Sequence, residues 1–293
     1  MTSMAVVTLG VKVKPTRAAL GAEISGLDLR AVDLSVLGMI REAWLAHEVL
    51  LIRGQRLDDD ALIAFSRYFG ELDDAPIQEN GRRFVAGHPE IYVVSNIVER
   101  GVAIGSLGAG EAVWHTDMSY LERPPKASML YALEVPASGG ETSFCSMTTA
   151  WRTLPEPMKA AIAGRRIKHD GTYNSGGYVR EGVVASDDPL TAPGTYHPIV
   201  CSHPDTAQRA LYLGRRRNAH IEGLPLDESE RLLDALWAHA TQPEFIWEHR
   251  WRVGDLVIWD NRCTMHRRNG FDPHARRLLH RTQIRSEAPP RAG

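Results

Sequence analysis

Apolar residues recur at helical spacing from Leu34 to Val49 and lead into an unbroken apolar run, Val49-Leu50-Leu51-Ile52. The first pattern predicts an amphipathic helix and the second a short strand. Asp58-Asp59-Asp60 precede Ala61-Leu62-Ile63-Ala64-Phe65, and Gly70 follows Phe69. Acids in front and a glycine behind mark both ends of one helix. Ile91-Tyr92-Val93-Val94 is rich in β-formers, whereas Gly101 to Gly110 holds four glycines and no charge and reads as a mobile loop. Strand signals then come quickly: Ala112 to Trp114, Ser128 to Val135, Ile199 to Ser202, Ala210 to Leu213, Phe245 to Trp251, Asp255 to Trp259 and Arg277 to Ile284. Two helices interrupt them. One runs from Ser146 to about Ala163; the other opens at Asp227, with Glu230 completing a capping box.

Short strands with Gly/Pro turns, and helices grouped rather than alternating, predict a mainly β chain with helical additions, an antiparallel sandwich or barrel. A dinucleotide fold needs regular strand–helix alternation and a G-x-G-x-x-G turn, and the glycine-rich loop has no such turn. With no internal repeat or linker, residues 1–293 read as a single domain. Charge is nearly balanced, Lys+Arg 34 against Asp+Glu 36, which supplies no field to hold nucleic acid. No run approaches the roughly 18 apolar residues of a membrane helix, and the N-terminus lacks a secretory layout. Three separated cysteines, Cys145, Cys201 and Cys263, favour neither a disulfide framework nor a cysteine zinc site. A soluble, cytoplasmic protein with no nucleic-acid or membrane partner is the expectation.

Candidate chemistry lies at three places. In Trp114-His115-Thr116-Asp117 a strand would point His115 and Asp117 the same way, giving two of the three ligands of a 2-His-1-carboxylate site. An H-x-D also occurs by chance, and alone it decides little. His266, behind Gly254 to Met265, could return to the same core or be an ordinary satisfied histidine. Eleven residues on, Arg277, Leu279 and Arg281 alternate with Leu278 and His280. Arginines sharing a face with apolar residues are costly unless an anion meets them, and Arg suits carboxylates; a solvated strand edge is the alternative. Arg215-Arg216-Arg217 reads as a solvated turn, Trp237, Trp247 and Trp251 as packing, and Cys263 as a small buried hydrophobe. Ser143, Ser146 and Thr148 lack a G-x-S-x-G elbow.

Taken together, these features resemble the taurine dioxygenase / 2,4-dichlorophenoxyacetate dioxygenase (TauD/TfdA) family of Fe(II)- and 2-oxoglutarate-dependent oxygenases. The resemblance spans nearly the whole chain: Gly21 to Leu29, Phe65 to Leu72 (FSRYFGEL), Trp114 to Asp117, Gly139-Gly140-Glu141-Thr142, and Trp259 through His266 to the arginines. It implies a double-stranded β-helix (jelly roll) and a dioxygenase that hydroxylates a small organic anion with O2, releasing succinate and CO2. The aryloxyacetate-cleaving branch looks nearer than the taurine enzyme. The resemblance implies His115, Asp117 and His266 as iron ligands, Thr142 and Arg277 on the distal carboxylate of 2-oxoglutarate, and Trp259 as an aromatic wall beside them. It implies Arg281 and the Met118 backbone for the substrate, whose anion is an aryloxyalkanoate, an alkyl sulfonate or sulfate, or a related carboxylate. Arg281 could instead bridge an internal acid such as Asp260 or Glu141. A homo-oligomer, dimer or tetramer, is the family's habit. Asp73 and Glu111 stand near places where taurine-using relatives carry His and Asn. An acid there would repel a sulfonate, unless both lie outside the pocket. A non-catalytic metal-binding jelly roll and a metal-dependent hydrolase are the alternatives, and neither explains Thr142 and Arg277.

Overall fold

Val49-Leu50-Leu51-Ile52 has no polar side because both of its faces are covered. Val49 and Leu51 join one hydrophobic cluster while Leu50 and Ile52 join another. The computed structural model describes residues 10–77, 83–110 and 112–293. The early strands are β1 (Lys12–Pro15), β2 (Ala22–Ser25), β3 (Val49–Ile52), β4 (Tyr92–Ser95), β5 (Val98–Glu99), β6 (Val102–Ala103) and β7 (Ser106–Leu107). Then come β8 (Ala112–His115), β9 (Ala127–Glu134), β10 (Thr142–Ser146), β11 (Arg166–Asp170), β12 (Gly194–Pro198), β13 (Val200–Ser202) and β14 (Arg209–Leu211). The last are β15 (His220–Ile221), β16 (Ile246–His249), β17 (Leu256–Asp260), β18 (Thr264–Arg268) and β19 (Leu278–Ile284). Helices are α1 (Leu34–His47), α2 (Asp59–Arg67), α3 (Met147–Thr153), α4 (Glu156–Ile162) and α5 (Leu226–Ala240).

An eight-stranded sheet, β1-β2-β3-β17-β9-β19-β4-β7, faces a four-stranded sheet, β16-β10-β18-β8. Pairing is antiparallel except for β2 with β3 and β4 with β7. Strand alternation sorts the side chains between layers. Leu256 and Ile258 of β17 pack toward α1 and α2; Val257 and Trp259 meet Phe144 of β10 between the sheets. Each such fully buried side chain contributes roughly 1.5–3 kcal/mol. A third cluster joins Cys145 and Met265 of the small sheet to α3, α5 and β11. The jelly-roll expectation holds: two β layers, with helices outside each.

Three local expectations need correction. The helix predicted from Ser146 to Ala163 is two helices. Ser146 caps α3 by accepting from Thr149 N, but Pro155 has no N–H and forces Leu154 extended (ψ 130°), so α4 starts afresh. The capping box at Asp227 does not form: α5 begins at Leu226, after Pro225, and Asp227 sits in its first turn. Nor is 101–110 structureless. β5 and β6 pair, β7 lies beside β4, and Arg268 Nη2 donates to the Leu107 carbonyl (2.9 Å) and to that of Gly110.

Candidate active site

The small sheet brings the two histidines together. His115 ends β8 directly opposite His266 of β18, their rings 4.1 Å apart. Asp117 does not continue the strand; it lies in the turn that follows, where Met118 takes a left-handed φ of 47°. The predicted convergence therefore occurs, but through a turn rather than strand alternation. Asp117 Oδ1 stands 3.6 Å from His115 Nε2 and 3.8 Å from His266 Nε2.

Protonation suits these groups to a cation. His115 Nδ1 lies 2.7 Å from the Val113 carbonyl, to which its N–H donates, so the Nε2 lone pair faces Asp117. Burial, then His115, pushes the pKa of His266 down to about 3, keeping that ring neutral. Burial disfavours the Asp117 carboxylate, yet Arg281, His266 and His115 hold its pKa well below the usual range. Asp117 Oδ2 accepts from Ser128 Oγ (2.7 Å), which accepts from Asn261 Nδ2 (3.1 Å); Asn261 Oδ1 accepts from Trp259 Nε1 (2.9 Å). Trp259 thus spends its N–H on Asn261 while its ring packs 4.9 Å from His266. Two imidazoles and one fixed carboxylate on one wall fit a divalent metal with open positions.

A second built feature lies at the approach to β19. Arg277 is only 1% exposed, and its Nε and Nη1 have no partner among the described residues. Burial, then neighbouring Arg268, pushes its pKa down to about 9, the mark of a buried cation awaiting an anion. Asn96 clamps the approach to β19, accepting from Arg277 N (3.0 Å) and donating to the Pro273 and Ala275 carbonyls; Ser95 Oγ donates to the Arg277 carbonyl. Gly140 must be glycine twice over: its φ is 70°, and a Cβ would lie 3.2 Å from Arg277 Nε. Buried Thr142 accepts from Trp251 Nε1 (2.9 Å), which leaves its hydroxyl hydrogen to donate.

A family model described as Taurine catabolism dioxygenase TauD, TfdA family matches residues 12–283. The chain belongs to the TauD/TfdA family. It is 35% identical over 288 residues to the alpha-ketoglutarate-dependent 2,4-dichlorophenoxyacetate dioxygenase of Cupriavidus pinatubonensis, covering 96% of this chain and 99% of that one. Identity to the alpha-ketoglutarate-dependent sulfate ester dioxygenase of Pseudomonas putida is 31%, over 96% and 91%. Among solved structures, AAD-2 in complex with Mn(II) and N-oxalylglycine superposes with a TM-score of 0.78 at 29% identity, over 95% and 98% of the two chains. This TauD/TfdA member is therefore a 2-oxoglutarate-dependent dioxygenase, and the ligand atoms of its His115, Asp117 and His266 lie close enough together to hold a metal ion.

Above the triad the protein has a small cavity of about 70 Å³, lined in part by Met118, Tyr92, Tyr120, Arg180, Arg215 and Arg281. Arg281 does meet an internal acid, but neither Asp260 nor Glu141. Its Nη1 donates to Asp117 Oδ1 (3.1 Å), and its guanidinium lies 4.6 Å from the Tyr92 ring. Asp260 is taken by Arg262 (2.6 Å) and His203 (2.9 Å), which also accounts for the His203-Asp260-Cys263 grouping. Asp73 pairs with Arg285 (2.8 Å) away from the cavity, so it cannot argue against a sulfonate; Glu111 lies outside the described residues. Two sequence readings are corrected. Arg215 is buried at the cavity rather than solvated, and Trp251 holds Thr142 rather than merely packing. Ser128, Asn261, Asn96, Arg180 and Arg268 carried no local signal, since each matters only through a partner far along the chain.

Proposed function

We propose that this protein uses Fe(II), held by His115, Asp117 and His266, to hydroxylate a small organic anion. Buried Arg277, with two nitrogens unpartnered among the described residues, accompanies a His-Asp-His cluster and carries the reading. Arg277 holds the distal carboxylate of 2-oxoglutarate by charge-assisted hydrogen bonds, and the Thr142 hydroxyl donates to the same carboxylate. Trp259 walls the site beside His266. The Met118 backbone and Arg281 orient the substrate's anionic head, and burial excludes water from the reacting carbon. Bound there, Fe(II) with 2-oxoglutarate and O2 supplies the oxidation of a substrate C–H to C–OH, with succinate and CO2 released. An aryloxyalkanoate, an alkyl sulfonate or sulfate ester, or a related carboxylate fits the arginine and aromatic lining; hydroxylation next to ether or ester oxygen ends in cleavage. The names of the relatives support that range. A homodimer or tetramer is proposed with it, to be read by light scattering.

The test is anaerobic addition of Fe(II) and then 2-oxoglutarate, followed by air. The reading requires a visible charge-transfer band and then O2-dependent succinate. His115→Ala, Asp117→Ala and His266→Ala should each lose stoichiometric Fe(II) binding. Succinate formation surviving intact in any of the three would discard that ligand set.

A further inference from the structure

The cavity above the metal triad carries more positive charge than one anionic head answers. Three arginines line it, Arg180, Arg215 and Arg281, and among the described residues Asp117 is the only acid in its lining. Asp117 already accepts from Arg281, and of the acids whose charge reaches Arg215, Asp117 and Asp170, neither is paired with it.

Within Arg215-Arg216-Arg217 the contrast is sharp. Arg216 pairs with Glu230 (2.6 Å) and Asp234 (2.7 Å), and Arg217 pairs with Asp187 (2.6 Å). Arg215 is only 7% exposed; its Nη1 donates to the Tyr173 carbonyl, its Nε has no partner, and no carboxylate of the described residues pairs with it. Arg180 lies 3.9 Å from the Tyr120 ring and donates to its hydroxyl (3.3 Å); among the described residues no carboxylate pairs with it and its Nε has no partner. Its placement is built. Tyr173 bridges Val179, Arg180 N donates to the Thr172 carbonyl (2.8 Å), and Asn174 Oδ1 accepts from Gly176 N and Tyr178 N. The turn so formed presents Arg180 to the cavity, and Arg215 fastens the turn through Tyr173. Burying the Arg215 guanidinium with no carboxylate paired to it is unfavourable unless a ligand supplies one, and half-buried Arg180 stands at the same cavity.

We infer that Arg180 and Arg215 form a second anion subsite, and that the substrate carries two anionic groups, one for Arg281 and one for this pair. The inference rests on the dioxygenase reading above and narrows its substrate to an organic dianion. Arg281 stands on the eight-stranded sheet, whereas Arg180 and Arg215 come from the segments after β11 and β14, so the second subsite is carried by different elements from the first.

The test uses full-length protein loaded with Mn(II) and N-oxalylglycine, which fills the metal and keto-acid positions. Calorimetry then compares α,ω-dicarboxylates of increasing length with their monoamides, pairs that differ by one charge at nearly equal shape. For the best-fitting length the dicarboxylate should bind about tenfold or more tighter, as loss of one partner of a desolvated charge pair requires. The preference should fall to within about twofold in Arg215→Gln and Arg180→Gln, and survive in Arg217→Gln, whose charge is answered by Asp187. If Arg215→Gln fails to fold because the Tyr173 anchor is lost, Arg180→Gln decides. No preference at any length, or a preference unchanged in Arg180→Gln, overturns the subsite. N-oxalylglycine binding is measured first: its absence would sink the keto-acid reading, whereas its presence without charge preference sinks the subsite alone.

Discussion

Arg277 and Ser128 show how much one side chain can owe to its surroundings. Arg277 is buried, with two donors unpartnered among the described residues, so the keto-acid carboxylate proposed for it would face a cation that water cannot screen. Arg277→Ala should raise the 2-oxoglutarate requirement at least about tenfold, since truncating one partner of such a pair costs roughly 2–5 kcal/mol. Fe(II) binding should be largely kept, and Thr142→Val should cost less because it removes one neutral donor. Titration of 2-oxoglutarate against the charge-transfer band reads both. Ser128 acts at one remove: its hydroxyl fixes Asp117 Oδ2 and is itself fixed by Asn261. Ser128→Ala should weaken Fe(II) affinity by about 10–100-fold, as loss of such supporting partners does. A metal affinity equal to wild type would mean that Asp117 is held by Arg281 alone.

Among the elements, the junction of α1, β3 and α3 carries a titration that the fold imposes. Glu48 closes α1 with a left-handed φ of 65° and accepts at Oε1 from Ser146 Oγ (3.0 Å), the residue that caps α3. Its Oε2 has no partner among the described residues, and burial raises its pKa from 4.5 to about 7. The folded state therefore keeps a proton that the unfolded chain gives up near 4.5. Stability from this group is greatest at low pH and falls as pH rises from about 4.5 to about 7. Glu48→Gln should remove that slope and be more stable than wild type at pH 8, on the order of 1–3 kcal/mol. Denaturant midpoints across that pH range check it, and a slope retained in the variant refutes the assignment. The same scale holds the sequence errors. Pro155 divides a continuous helical pattern, and Pro225 starts α5 ahead of the Asp227 signal, so local backbone geometry outranked periodicity in both places.

For the whole molecule, the proposed metal and keto-acid sites join residues in or next to β8, β10, β18 and β19, drawn from both sheets. A ligand that binds only the folded chain stabilises it by mass action, about 2.7 kcal/mol at a hundredfold excess over Kd. Fe(II) with N-oxalylglycine under anaerobic conditions should thus raise the melting temperature by several degrees. Arg277→Ala should keep the metal's share of that shift and lose most of the remainder, and a full shift in that variant would place N-oxalylglycine elsewhere.

The jelly roll and the convergence of His115, Asp117 and His266 were legible in the sequence. Strand runs and turn glycines are local signals, and the spaced motif of His115, Asp117, His266 and Arg277 is specific in combination. The resemblance to TauD/TfdA proteins turned that combination into roles. Only the tertiary structure decided which charges are answered. Arg215, Arg216 and Arg217 are identical in sequence context, yet two meet carboxylates at the surface and one is buried at the cavity. It also set Asp73 on Arg285, Arg281 on Asp117, and Trp251 on Thr142. Burial and pairing depend on what other segments bring to the same place, many tens of residues away, and no local pattern of hydrophobic and polar positions encodes that.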